Sequence, residues 1–230
     1  MLNAILKRII ELFSKLLGDK ARRHYMWKCS YQTFQGLGLK NPLVLDVGCG
    51  DGRNIMTHRD LMGDFIGLDL DPEALKEARA RGVPVVLGEA TRLPFKTGCF
   101  DVVTSFHLIE HIEDDLTHMN EIYRVLKDSG YAIIMTPNRR RLHMLIYKFI
   151  TRIKERCYPM NPLHVFEYTK ADFESLFSKS NFRHYQVNPV GLISLPGLEI
   201  PWSPRFLSKY CYVFIAVLQA MPEKFPKQGH

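Results

Sequence analysis

The sequence predicts an α/β fold, a doubly wound and mostly parallel sheet with helices on both faces. Short apolar segments alternate with amphipathic ones from residue 43 to residue 136, a pattern typical of βαβ units. The short segments are mainly apolar on both sides, as strands are when helices cover both faces of a parallel sheet. The chain contains no internal repeat and no low-complexity linker, so a single domain is expected over residues 1–230.

Two helices are expected ahead of the first strand. The first is predicted from apolar residues at three- and four-residue steps: Leu2, Ile5, Leu6, Ile9, Phe13, Leu16 and Leu17. It should end near Gly18, and residues 20–37 should form a second helix with a mixed face. Residues 1–38 are therefore interpreted as amphipathic helices that cover the functional site.

Five strands alternating with helices follow. The strands are predicted at residues 43–47, 64–70, 83–87, 101–106 and 131–136. Helices are predicted after Gly52 to about residue 61, from residue 72 onwards, and at residues 114–126. Asp71 is a suitable N-cap for the second of these helices, with Pro72 in its first turn.

The remaining third of the chain should complete the sheet. A long basic helix is predicted at residues 138–157 and a shorter one at residues 169–178, with Thr169 as its cap. Residues 182–189 and 212–219 are candidate final strands. Pro189 and three prolines between the two segments (Pro196, Pro201 and Pro204) predict a loop or short turns there.

Composition excludes several classes of protein. Hydrophobic residues make up 46% and charged residues 24% of the 230 residues, which is typical of a globular domain and not of a disordered or disulfide-stapled chain. The longest apolar run, residues 211–218, is much shorter than the roughly 20 residues that span a bilayer. The scattered cysteines and the absence of a signal-peptide pattern predict a reducing, cytoplasmic setting.

A glycine-rich turn joins the first strand to its helix. The segment VLDVGCGDG ends with glycine at 48, 50 and 52, and glycine lets the backbone turn sharply and approach a ligand. The spacing differs from the dinucleotide pattern G-x-G-x-x-G, and a simple tight turn is the alternative for the loop alone. The next strand ends at Asp69, about 20 residues further on, where a carboxylate can bind a ribose diol. Together the two features indicate a nucleoside ligand.

Further segments follow the glycine loop in a recognisable order. VLDVGCGDG, GLDLDPEAL, LGEATRLPFKTGCFDVV, HLIEHIED and RVLKDSGYAIIMTPN together resemble the motif series of class I S-adenosylmethionine-dependent methyltransferases. The resemblance covers residues 43–138, returns weakly at residues 163–182, and is strongest to the type 11 subgroup with the ubiquinone-pathway O-methyltransferases. It implies a Rossmann-like, seven-stranded sheet and S-adenosylmethionine as the cofactor, bound where the strand order reverses.

The resemblance also implies a set of cofactor-binding residues. The methionine end would be shaped by the glycine loop, the ribose bound by Asp69, and the adenine contacted at Glu89 and Ala90, where the family often has Asp before Ala. His107 would lie near the methyl group. The full set is Asp46, Gly48, Cys49, Gly50, Gly52, Asp69, Leu70, Glu89, Ala90 and His107. Cys49 is expected to pack in the loop and not to act as a nucleophile.

Two histidines after the fourth strand are candidates for catalysis. A hydroxyl acceptor must lose its proton, and histidine suits that task near neutral pH. His107 and His111 are the candidates, and the alternative is that one of them only packs or hydrogen-bonds at the start of a helix.

A metal site is a further hypothesis from the same segment. His107, Glu110 and His111 would share one face of a helical turn, and His164 would supply a fourth ligand. The arrangement resembles the metal-dependent branch of the superfamily, which has Glu at the position of His107. No metal is predicted, because Glu110 and His111 also occur in metal-free relatives, and His164 can simply hydrogen-bond at the pocket mouth.

Two basic segments bear on the acceptor and the partners. Residues 1–28 and 138–157 each hold seven Lys or Arg residues, and the chain has a net charge of +7. Residues 138–168 are interpreted as a basic helical insert over the acceptor pocket, which suits a small-molecule or lipid-like acceptor and allows contact with an anionic membrane surface. A solvated basic face is the alternative.

The predicted reaction is methyl transfer, with oxygen as the expected target; an RNA methyltransferase and a non-catalytic binding subunit are the alternatives. Nucleic acid is disfavoured because the basic segments lack interleaved aromatic residues.

Overall fold

A seven-stranded sheet organises the computed structural model, which describes residues 19–140, 165–191, 194–195, 198–199, 211 and 213–221. Side chains in the first helix are described from Met26 onwards. In chain order the strands are β1 (Val44–Val47), β2 (Phe65–Asp69), β3 (Val85–Leu87), β4 (Phe100–Phe106), β5 (Leu126–Pro137), β6 (His184–Val190), β7 (Ser194–Leu195), β8 (Leu198–Glu199) and β9 (Val213–Gln219).

The strand order of the sheet is β3-β2-β1-β4-β5-β9-β6. The pairs from β3 to β5 are parallel, and β9 runs antiparallel to both of its neighbours, β5 and β6. The prediction of a mostly parallel, seven-stranded sheet is therefore confirmed.

Five helices connect these strands in the described part of the chain: α1 (Asp19–Gln35), α2 (Arg53–His58), α3 (Pro72–Ala80), α4 (Asp115–Val125) and α5 (Lys170–Lys179). The predicted cap of α3 is confirmed, because the Asp71 carboxylate accepts hydrogen bonds from the backbone N–H groups of Glu73 and Ala74. Thr169 likewise caps α5 and forms a capping box with Asp172.

The strands bury side chains on both faces of the sheet. Neighbouring residues point to opposite faces, so Val44 and Ile133 pack in one apolar cluster while Leu45 and Ile134 pack in another. The first cluster includes residues of α1, α2 and α3, and the second includes residues of α4 and α5. Helices thus cover both faces, and functional groups are left to the ends of the strands.

Some segments differ from the prediction or lie outside the description. The helix predicted at 138–157 does not begin at Asn138, which forms a bridge with Tyr168 and is followed by a turn. The buried Asn138 amide donates to the Cys211 carbonyl at 2.8 Å and its Oδ1 accepts from the Arg140 N–H at 2.9 Å, so the side chain holds this turn. Residues 141–164, with most of the predicted insert, lie outside the described residues, as do residues 1–18.

The Pro-rich stretch contains a short antiparallel pair, β7 with β8, where only loops or turns were predicted. Among the helices of the described residues, none combines the length and apolar character that crossing a membrane requires.

Candidate functional site

The predicted residues gather at the carboxyl ends of β1, β2 and β4. The chain leaves β1 towards β2 on one side, whereas β4 pairs with β1 on the other, so the strand order reverses at this point. Such a reversal leaves a crevice outside the strand ends. The glycine loop follows β1, Asp69 ends β2, and His107 comes directly after β4.

The glycine loop is fixed to the end of β2 by its backbone. The N–H groups of Gly48 and Cys49 donate to the Leu68 carbonyl at 2.7 and 3.0 Å, and the Gly50 N–H donates to Asp69 Oδ2 at 2.8 Å. Gly50 has a φ of +52°, and a Cβ on it would meet no atom within 4 Å. The loop therefore presents bare backbone on an open side at Gly50.

Gly52 and Cys49 have packing roles. Gly52 has a φ of +80°, and a Cβ on it would lie 3.0 Å from the Val83 side chain and 3.2 Å from Ala78 Cβ. Its small size thus lets α3 approach the loop, and it borders neither cavity described below. Cys49 packs on Gly67, and burial, together with the carboxylates of Asp46 and Asp69, raises the pKa of its thiol to about 12. The thiol stays protonated, as expected for a packing residue.

Asp46 is a buried carboxylate with one unused oxygen. Thr104 Oγ1 donates to its Oδ1 at 2.6 Å, whereas Oδ2 is buried without a hydrogen-bond partner among the described residues. Burial raises the pKa of Asp46 to about 7, and the charge of Asp69 acts in the same direction against the Thr104 hydrogen bond. Buried polar atoms are usually paired, so the free oxygen indicates a missing ligand group.

A cavity of about 560 Å³, called the Asp69 cavity below, lies beside the end of β2. It brings together five of the predicted cofactor-binding residues and His111, and its walls include Gly48, Asp69, Leu70, Glu89, Ala90, Leu108 and His111. The Leu70 side chain is 69% exposed there, which leaves an apolar surface at the cavity edge.

A buried histidine supports one wall of the Asp69 cavity. The His118 Nδ1 lies 3.1 Å from the Ala90 carbonyl oxygen and its Nε2 lies 3.2 Å from Ser105 Oγ. A carbonyl only accepts, so Nδ1 carries the proton and Nε2 accepts from Ser105. Burial lowers the pKa of His118 to about 4 and keeps the ring neutral. This role of His118 was not predicted from the sequence, because it depends on contacts with Ala90 and Ser105, which are distant in the chain.

A second cavity of about 230 Å³, the His107 cavity, lies on the other side of the glycine loop. Met26 and Trp27 of α1 form part of its wall, so the predicted second helix does reach the site. The other lining residues are Cys49, Asp51, Arg53, Asn54, Phe106, His107 and Met135. Apolar and aromatic side chains meet here with polar groups from the glycine loop (Asp51), from α2 and from His107.

His107 has an unusual backbone and an unpaired ring nitrogen. Its φ is +55°, a left-handed conformation uncommon outside glycine, and its N–H donates to the Met135 carbonyl at 2.8 Å. The ring Nδ1 lies 3.4 Å from Glu110 Oε1, and Nε2 is buried without a partner among the described residues. Strained residues of this kind often occur at functional sites.

The prediction that His107, Glu110 and His111 share one face of a helical turn is wrong for His111, although His107 and Glu110 do meet, with Nδ1 3.4 Å from Oε1. The helix there is a three-residue 3₁₀ turn from Ile109 to His111, and the left-handed His107 stands before it. As a result His107 borders one cavity and His111 the other. Within the described segments, no three His, Cys, Asp or Glu side chains are placed to hold a metal ion, and His164 lies outside those segments.

Residues 45–134 match the family model described as a methyltransferase domain. The segment is a methyltransferase domain. It contains the glycine loop, Asp69, Glu89, Ala90, His107 and Glu110, so both cavities are built mainly from the methyltransferase domain.

Known methyltransferases resemble the chain well beyond these motifs. A Mycolicibacterium smegmatis protein named "Probable S-adenosylmethionine-dependent methyltransferase" is 33% identical over 60% of this chain and 51% of its own length. A ubiquinone biosynthesis O-methyltransferase of Psychrobacter cryohalolentis is 30% identical over 59% of this chain and 56% of its own length. The chain thus spans about half the length of the curated relatives it matches.

A solved structure extends the likeness to the whole fold. A methyltransferase of Thermotoga maritima superposes with a TM-score of 0.67, covering 94% of this chain and 98% of its own, at 19% identity. At that identity the agreement concerns the fold.

Residues of the glycine loop, of the end of β1 and of the larger cavity fit S-adenosylmethionine. The Asp46 oxygen without a partner is an acceptor, the open side of Gly50 leaves room for a ligand, and Asp69 faces the larger cavity. These features match the methionine group, backbone contact and ribose that such a ligand presents. The two cavities meet at the glycine loop, since Gly48 borders one and Cys49 the other.

Proposed function

We propose that this chain transfers a methyl group from S-adenosylmethionine to an oxygen atom of a small or lipid-linked acceptor. The methyltransferase domain and its cavities support methyl transfer. The choice of oxygen is supported by relatives named malonyl-[acyl-carrier protein] O-methyltransferase and ubiquinone biosynthesis O-methyltransferase. The observation that carries this choice is the buried, unpaired Nε2 of His107 in the smaller cavity.

In this proposal the Asp69 cavity holds the adenosine of the cofactor. The Asp69 carboxylate accepts hydrogen bonds from the ribose hydroxyls, and Glu89 and Ala90 contact the adenine. Leu70 covers one face of the base with its exposed apolar side chain. His111 borders this cavity, so its role becomes cofactor contact and not proton transfer.

The methionine end lies at the glycine loop. Gly50 lets the backbone approach it, Gly48 makes room for the Leu108 side chain, and Asp46 Oδ2 accepts a hydrogen bond from its polar groups. Gly52 and Cys49 act by shaping the loop through their packing on α3 and on Gly67.

The acceptor hydroxyl occupies the His107 cavity. When bound, S-adenosylmethionine supplies an electrophilic methyl carbon that an oxygen in line with the carbon–sulfur bond can attack. His107 would take up, at Nε2, the proton that the acceptor hydroxyl loses when it is methylated. The protein contributes mainly by alignment, because a held in-line geometry lowers the entropic part of the barrier.

The lining of the His107 cavity supports a largely apolar acceptor. Met26, Trp27, Phe106 and Met135 present apolar or aromatic surface, and the cation of Arg53 is paired with Asp51 at 2.6 Å. This combination suits an aromatic or acyl-bearing molecule better than a polyanionic strand. Contact of residues 1–18 and 141–164 with an anionic membrane remains a prediction, since those segments lie outside the described residues.

Radiolabelled transfer tests the proposal. The full chain is incubated with methyl-labelled S-adenosylmethionine and, separately, with a small-molecule extract, a lipid extract and total RNA. We expect label in one of the first two fractions, and loss of transfer in His107→Gln with cofactor affinity unchanged. His184→Gln is the matched control, because His184 is exposed at the amino end of β6 and far from the glycine loop in the strand order.

Each other outcome contradicts part of the proposal. Label in RNA would favour an RNA methyltransferase. Tight cofactor binding with no transfer to any fraction would favour a non-catalytic subunit. Equal transfer by His107→Gln and wild type would remove His107 from the chemistry.

A further inference from the structure

Glu110 is a buried carboxylate next to His107 that the proposed reaction does not use directly. Glu110 is only 1% exposed, and Thr136 Oγ1 donates a hydrogen bond to its Oε2 at 3.0 Å. Its other oxygen, Oε1, lies 3.4 Å from His107 Nδ1. The Glu110 backbone is held as well, because its carbonyl accepts from the N–H groups of Val165 and Phe166 at 2.8 and 3.2 Å. Both ends of the residue are therefore fixed.

The Glu110 carboxyl is ionised in this environment. Burial alone would raise its pKa, but contacts with His107 and the hydrogen bond from Thr136 bring the pKa below its usual range. A carboxylate can only accept hydrogen bonds, so the nitrogen that faces it must carry the proton. That nitrogen is Nδ1 of His107.

In a neutral imidazole only one ring nitrogen carries a proton, so the other nitrogen is the one that can accept a hydrogen bond. In a neutral imidazole with a proton on Nδ1, Nε2 bears the lone pair. Nε2 is buried without a partner among the described residues, and His107 borders the smaller cavity, so Nε2 is the nitrogen left to accept a proton from an acceptor. The left-handed backbone of His107, with its N–H bound to the Met135 carbonyl, holds the ring between the carboxylate and the cavity.

We propose that Glu110 is a positioning residue, whose carboxylate holds His107 in the Nδ1–H tautomer so that the Nε2 lone pair faces the acceptor. The role of Nε2 in transfer rests on the proposed function, but the tautomer does not. Thr136 supports the arrangement by fixing the second carboxylate oxygen. The separation of 3.4 Å is longer than an ideal hydrogen bond, and catalytic contacts are often long before a ligand binds.

Substitution of Glu110 separates positioning from a purely structural role. Glu110→Gln keeps the size of the side chain but offers an amide, which can donate to Nδ1. The amide should therefore favour the Nε2–H tautomer and hide the lone pair from the cavity. Glu110→Asp keeps the charge but withdraws the carboxylate by one methylene, so a mixture of the two tautomers is expected. If Glu110 served only to anchor Thr136, the His107 tautomer would be the same in these variants as in the wild type.

Nitrogen NMR of the full chain, labelled with ¹⁵N in histidine rings, measures the tautomer directly. The His107 signals are identified as those missing in His107→Gln. We expect the proton on Nδ1 in the wild type and on Nε2 in Glu110→Gln. A proton on Nε2 in the wild type overturns the proposal, and so does an unchanged tautomer in Glu110→Gln. If Glu110→Gln does not fold, the wild-type spectrum and Glu110→Asp still decide.

Calorimetry and kinetics distinguish this proposal from the proposed function. Glu110→Gln should bind S-adenosylmethionine as tightly as the wild type, because Glu110 borders neither cavity. With an acceptor found by labelling, its kcat should fall by about 10²-fold, the lower range for loss of acid–base catalysis. A wild type that does not bind the cofactor would refute the proposed function while the tautomer result stands. An altered tautomer with unchanged kcat would refute the role of Glu110 in catalysis.

Discussion

The Asp69 carboxylate accepts a hydrogen bond from the backbone N–H of Gly50 at 2.8 Å, across the gap between β2 and the loop after β1. The other carboxylate oxygen accepts from the Asp71 N–H at 2.9 Å. One side chain thus fixes the glycine loop, supports the start of α3 and still faces the larger cavity. Each carboxylate oxygen has a second lone pair, so ribose hydroxyls can be bound without breaking the loop contacts.

Asp69→Ala should weaken S-adenosylmethionine binding by about 1.5–3 kcal/mol, the usual worth of a hydrogen bond to a charged group. It also removes the Gly50 contact, so part of the loss could come from a loosened loop. Asp69→Asn retains an oxygen that can accept from Gly50 but lacks the charge. Calorimetry with the cofactor compares the two variants, and wild-type affinity in both would remove Asp69 from the site.

Asp46 should make the domain less stable as the pH rises through about 7. Its pKa is raised to about 7 in the folded state, above the unfolded value of 3.8, so folding favours the protonated form. Its contribution is fully present below pH 3.8 and is lost as the pH rises through 7, on the order of 4 kcal/mol in all.

Asp46→Asn mimics the protonated side chain and should show no such loss. Denaturant unfolding at pH 5 and pH 8 measures the effect. The variant is expected to gain stability relative to wild type at the higher pH. An equal difference at both pH values would show that Asp46 ionises normally in the folded protein.

His118 should have the opposite effect at low pH. Its folded pKa, lowered to about 4 by burial, lies below the unfolded value of 6.5. Its contribution is fully present above pH 6.5 and falls by about 3 kcal/mol as the pH drops towards 4. His118→Asn can still donate to the Ala90 carbonyl but does not titrate, so its stability should depend less on pH than that of the wild type. Parallel pH profiles for the two proteins would refute this.

Deletion of residues 1–17 tests membrane contact by the predicted first helix. The helix carries basic and apolar residues, so the full chain should bind anionic vesicles, and binding should weaken as salt is added. The deletion should reduce vesicle binding and leave affinity for S-adenosylmethionine intact, because the described cavity residues begin at Met26. A full chain that ignores anionic vesicles at low salt would rule out the membrane role.

Local patterns were sufficient to predict the strands and most helices. Buried strands such as β4 are rich in apolar and β-branched residues, and caps such as Asp71 act within three residues, so both leave a signal in the sequence. The start predicted for the basic helix failed because Asn138 bonds to Cys211, which is 73 residues away. No local pattern reports a contact of that range.

Part of the candidate site could also be predicted from the sequence. Asp69, Glu89 and Ala90 share a cavity because each ends or follows a strand at the same edge of the sheet. The split between His107 and His111 was not predictable, since it depends on the left-handed backbone at His107 and its bond to Met135 of β5. Glu110 stood in the sequence three residues after His107, but only the bond from Thr136 shows how its carboxylate is held.

The position of β9 has a consequence for how the chain folds during synthesis. β9 pairs with β5 and β6, both of which leave the ribosome before it, and Ala216 is the partner of Ile134 on one side and of Val187 on the other. The edge of β5 therefore stays open until residues 213–219 have been made, although β1 to β4 and the residues of both cavities are already available. A nascent chain that stalls before this point would expose an apolar strand edge, the kind of surface that chaperones bind and that promotes aggregation.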